Sequence, residues 1–206
     1  MYKLEVAFVQ GNAPASKLIS KFSQKLINDQ FTGDFHPSHV LLVLDDSIVF
    51  ESSTYKKSED KDAKHKIYEK GTRILDIDDI DERLAQNSIK RVVIDYDLDP
   101  YLALKYVAQV SNYKYSYKSI FRFLINGHLK RKKNNKRHVE YICSGLVLEA
   151  LREDYFKKNA AVQKVINQFK GIDSNSVTPL DLYLAFCKAG YTFRECKGLI
   201  NETRNL

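Results

Sequence analysis

Tryptophan is absent from this 206-residue chain, methionine occurs once, and there are only four prolines, eight glycines and three cysteines. Each shortage excludes something. Three cysteines, an odd number without C-x-x-C spacing, make neither a disulfide framework nor a zinc site. They fit reduced thiols in a reducing compartment. No run approaches the roughly 18 consecutive apolar residues of a membrane span. The opening MYKLEVAFVQ lacks the longer apolar core of a secretory signal, although APAS at 13–16 imitates a cleavage site, so a cytoplasmic protein is expected. With few glycines and prolines, no linker and no repeat divides the chain, and a single domain spanning 1–206 is expected.

Apolar residues are plentiful at 44%, enough for one core, and the formal charge is +7. Part of that charge is concentrated. HLKRKKNNKRH (128–138) carries Lys130, Arg131, Lys132, Lys133, Lys136 and Arg137 and no acid. It reads as a basic loop, either simply exposed or able to meet an anionic surface. The stretch 53–71 is equally polar but mixed in sign, as in a solvated loop. No helix-turn-helix or zinc module accompanies the basic run, so no dedicated nucleic-acid motif is present.

Periodicity sketches the elements. YKLEVAFVQ alternates as a first strand, and Leu18, Ile19, Phe22 and Leu26 recur at helical spacing behind a cap at Ser16. SHVLLVLDDSIVFESS is two apolar runs about an Asp-Asp-Ser turn, a hairpin. HKIYEKGTRILDI and KRVVIDYDL read as strands, PYLALKYVAQVSN as a helix, and IFRFLI as a short apolar element. CSGLVLEALREDYF and NAAVQKVINQFKG are helical. SVTPLDLYLAFCKAG has Thr178 as cap, Pro179 at the first helical position and Gly190 at the end, with Cys187 in register with Leu180 and Leu184 as core. YTFREC returns as an edge strand. One helix and the strands come first and the other helices later, which makes the class α+β.

Chemistry concentrates at Cys143, where a strand-like run turns helical. A thiol attacks as thiolate, and a helix N-terminus or a neighbouring imidazole favours that form. His39 opens the hairpin. With a three-residue loop Leu44 faces Ile48, His39 lies opposite Ser53, and Glu51 is a diagonal neighbour on the same face at roughly 7–8 Å. A two-residue loop would put the two side chains on opposite faces. Glu51 also interrupts an apolar face beside Val49, and a charge there needs a partner. The plainer alternatives stay open: free cysteine is among the most buried residue types, and His36, His39 and Asp34 are too few for a convincing metal site.

Three segments together, PSHVLLVLDDSIVFESS, YICSGLVLEAL and VTPLDLYLA, resemble the circularly permuted branch of the NlpC/P60 papain-like superfamily, the YiiX-like group of bacteria and viruses. Ser38 and His39 match its histidine strand, Glu51 its third polar residue, and Tyr141, Cys143, Ser144, Leu146 and Val147 its nucleophile turn. Pro179, Asp181 and Leu182 match a structural segment. Gly145 departs from the pattern, since relatives commonly carry glutamate there. The resemblance implies a permuted papain-like fold and a cysteine hydrolase using Cys143, His39 and Glu51, with no metal or organic cofactor. Tyr141 and Ser144 would assist at the oxyanion or substrate. Substrates would be peptide, isopeptide or N-acyl amides. The alternatives are lipid acyl hydrolysis or transfer on the same fold, and a non-enzymatic basic binding module.

Overall fold

The computed structural model describes residues 2–26, 33–53, 71–98, 113–116, 140–153 and 159–199. The expected helix at 100–112, the element IFRFLI, the basic loop 128–138 and positions 54–70 of the polar stretch lie outside them. The strands are β1 (Tyr2–Gln10), β2 (His39–Leu44), β3 (Ile48–Ser53), β4 (Gly71–Asp76), β5 (Ser88–Leu98), β6 (Lys114–Tyr115), β7 (Glu140–Tyr141) and β8 (Arg194–Lys197). Six of them form an antiparallel sheet in the order β4-β3-β2-β1-β5-β8, and β6 and β7 make a short parallel pair. The helices are α1 (Pro14–Leu26), α2 (Ile77–Leu84), α3 (Cys143–Arg152), α4 (Ala160–Asn167) and α5 (Pro179–Lys188), with a 3-10 turn at Ser174–Ser176. The architecture is mixed α+β, as expected.

Alternation along the central strands builds two cores. Leu4, Val6 and Phe8 of β1 join Val40, Leu42 and Phe50 on one face, under α3, α4 and α5. Ala7 and Val9 join Leu41, Val43 and Val49 on the other, under Ile77, Ile80 and Leu84 of α2. Both faces are covered, which is why β2 reads as an unbroken apolar run.

The second face also encloses charge. Arg91, fully buried, is bonded to Glu5 and Asp46, and its Nη1 donates to the Leu199 carbonyl at 2.5 Å. Lys3 reaches Asp46 at 2.8 Å, and Arg194 lies 3.5 Å from Glu5. Burial alone would raise the Asp46 pKa, but Lys3 and Arg91 outweigh it and hold the carboxyl below its ordinary value.

Local chemistry sets the element ends. Leu44 pairs with Ile48, so the hairpin has the three-residue loop. Ser47 N–H donates to the Leu44 carbonyl at 3.1 Å across Asp45 and Asp46, both at positive φ (51° and 52°). Aspartate tolerates that region better than most side chains. α5 carries the expected start: Thr178 and Asp181 form a reciprocal capping box ahead of Pro179.

Two expectations fail. α1 begins at Pro14, whose fixed φ suits a first helical position, so Ser16 sits inside the first turn and is not the cap. Cys187 is exposed rather than core. Leu180 on the same stripe is buried and Leu184 half-buried, so the stripe leaves the core along α5 and Cys187, in the last turn, emerges into solvent.

Candidate active site

β2 and β3 are paired only from Leu44↔Ile48 to Leu42↔Phe50. Beyond that point β2 continues to His39 along β1, while β3 continues to Ser53 along β4. The ladder therefore opens, with His39 on one lip and Glu51 on the other. Their side chains bridge the opening: His39 Nε2 lies 2.6 Å from Glu51 Oε2. Glu51 is 0% exposed and His39 19%. A buried carboxylate needs its charge compensated, and Arg73, paired with Glu51 across β3 and β4, supplies it. Its Nε and Nη2 both donate to Glu51 Oε1, at 3.0 and 2.5 Å. One carboxylate oxygen thus holds the guanidinium and the other the imidazole.

Cys143 enters from the helix side as the first residue of α3. It is 5% exposed and packs with Leu146 and Val147 in the first core. Tyr141 precedes it on β7, and the chain reaches the opening because Ser52 Oγ donates to the Tyr141 carbonyl at 2.7 Å. α3 has no side-chain cap and no acid in its first turn, so the positive end of its dipole falls at the thiol.

The imidazole responds to this placement. Burial alone would lower the His39 pKa, but the charge and hydrogen bonding of Cys143, and then those of Glu51, outweigh it and raise it to about 9. Nε2 is engaged by Glu51, and the Cys143 thiol is the other hydrogen-bonding neighbour of the ring.

The other expected residues take different positions. Tyr141 is buried, its ring stacked on Tyr113 at 6.0 Å between centroids. The Ser144 hydroxyl donates to the Val177 carbonyl at 2.6 Å inside the core, so only its backbone N–H is placed at the helix mouth. His36 turns to α1, where the Gln24 amide lies 2.8 Å from its Nε2. Among the described residues, no group of three or more His, Cys, Asp or Glu could hold a metal ion.

No family model matches this chain, no curated protein matches it, and no solved structure does. What the site does therefore rests on its own chemistry.

Two residues escaped the sequence reading. Arg73 meets Glu51 only through the β3–β4 register, which the intervening 54–70 stretch conceals. Asn175, in the 3-10 turn, accepts from Ile142 N–H at 3.0 Å and donates to the Glu140 carbonyl at 2.8 Å. No local pattern announces a side chain that acts 33 residues away.

Proposed function

We propose that the protein is a cysteine hydrolase of permuted papain-like type that cleaves amide or isopeptide bonds through Cys143, His39 and Glu51. The observation that carries this reading is the buried Glu51–His39 contact at 2.6 Å, with an imidazole whose proton affinity the Cys143 sulfur raises. The order of the parts agrees with it, a histidine strand ahead of a nucleophile helix.

In this mechanism His39 takes the thiol proton, and the thiolate attacks the substrate carbonyl carbon. The oxyanion lies against backbone N–H groups of the first turn of α3. Collapse gives a thioester, and the His39 imidazolium delivers its proton to the departing amine. Water, deprotonated by His39, then attacks the thioester, and the thiol regains its proton as the acid leaves. Glu51 holds the ring in one orientation throughout, as the third member of a triad does.

The test is the pH dependence of iodoacetamide alkylation at Cys143, read by mass spectrometry in wild type and His39→Ala, with exposed Cys187 as reference. Selective labelling well below pH 8 that is lost without His39 is the expected result. Labelling only in the range of Cys187, with or without His39, would overturn the reading. Cys143→Ala should abolish turnover of amide substrates while leaving the fold intact.

A further inference from the structure

The strand-to-helix turn that aims Cys143 is held by a side chain from elsewhere in the chain. Asn175 is 5% exposed. Its Oδ1 accepts from Ile142 N–H and its Nδ2 donates to the Glu140 carbonyl. Each end of the amide meets a backbone group of opposite kind, which fixes its orientation. The turn carrying it is itself pinned, because Asp173 accepts from the Asn175 N–H at 2.9 Å. Residues 140–142 are thereby clamped immediately before the thiol.

The clamp approaches so closely that it dictates a neighbour. A Cβ built on Gly145 would stand 2.5 Å from Asn175 Oδ1 and 3.3 Å from the Ser174 backbone. Glycine at 145 is therefore what admits Asn175 to the mouth of α3. That accounts for the absence of a side chain, acidic or otherwise, at this point of the first turn.

We propose that Asn175 is a positioning residue for the nucleophile: it fixes the Glu140–Ile142 backbone from a distant point of the same chain and does so without charge. The neutrality matters as much as the grip. Aspartate has nearly the same shape and could still accept from Ile142 N–H. It would lose the donor to Glu140 and place a carboxylate beside the helix N-terminus, where negative charge opposes formation of a thiolate. The inference rests on the cysteine-hydrolase reading above.

The same alkylation assay tests it. Wild type must first show His39-dependent labelling of Cys143; if it does not, the functional reading fails and not the clamp alone. In Asn175→Asp the labelling curve should move to higher pH, with the rate at pH 7 lowered about tenfold, one pH unit of displacement. Cys187 should label as before, and far-UV circular dichroism should be unchanged. A wild-type curve in folded Asn175→Asp overturns the proposal. Gly145→Ala gives the answer without added charge, and does so even if the aspartate variant does not fold. The new methyl displaces the amide from Ile142, so Cys143 labelling should slow several-fold, and wild-type labelling there also overturns it.

Discussion

At the scale of single residues the site is a chain of three contacts running outward from the thiol, and its middle member is the informative one. Glu51 has no solvent to share its charge with, and its two oxygens face two different cations or potential cations. Glu51→Gln keeps the shape and removes the charge that helps hold the His39 pKa near 9. The basic limb of the turnover profile of the proposed hydrolase, where the imidazolium is lost, should therefore move down in pH, read from a pH series on wild type and variant. Stability carries the same sign. The His39 pKa is raised above its ordinary 6.5 in the folded protein, so its contribution is complete below about pH 6.5 and disappears as the pH rises through about 9. Melting temperature should fall across that interval in wild type, and less so in Glu51→Gln; equal slopes would contradict the assignment.

At the scale of elements, the stretches that could be read in sequence were those whose chemistry is local. α5 announces itself through Thr178, Pro179 and Asp181, all within four positions, and the structure has that helix with its capping box. Removing the cap in Thr178→Ala should cost about 1–2 kcal/mol, measured by urea denaturation. The hairpin was readable for the same reason, since two apolar runs about Asp45 and Asp46 leave few registers, and Leu44↔Ile48 is the one found. α2 went unread although Ile77, Ile80 and Leu84 have helical spacing and Asp76 caps it, accepting from Asp78 N–H at 3.0 Å. It was absorbed into the strand reading of the preceding TRILD. The thiol and imidazole could be named from sequence, and so could the carboxylate once the loop length was assumed. The opening of the β2–β3 ladder could not, because it depends on both strands keeping their outer partners. Nor could Arg73 or Asn175, whose contacts are set by tertiary register rather than by neighbours in the chain.

At the scale of the whole molecule, the sheet separates two jobs. The face under α3, α4 and α5 carries Cys143, and the face under α2 encloses the Arg91 cluster. Arg91, on β5, is tied to Glu5 of the neighbouring β1, to Asp46 in the β2–β3 turn and to residue 199, so it links the central strands to the hairpin as well as closing the core. Arg91→Met leaves Glu5 buried without its guanidinium and should cost about 3–5 kcal/mol, whereas adding Glu5→Leu should recover most of the loss. Urea denaturation of the single and double variants checks this, and additive losses would count against a buried pair. The Arg91 contact with the Leu199 carbonyl spans 108 residues. During synthesis the guanidinium is made long before that acceptor exists, by about 5–20 s at ordinary elongation rates. The sheet face that carries Arg91 therefore stays unsealed while α3, with Cys143 at its start, is already emerging. The order of translation thus sets the closing of the second core after the synthesis of the helix that carries Cys143.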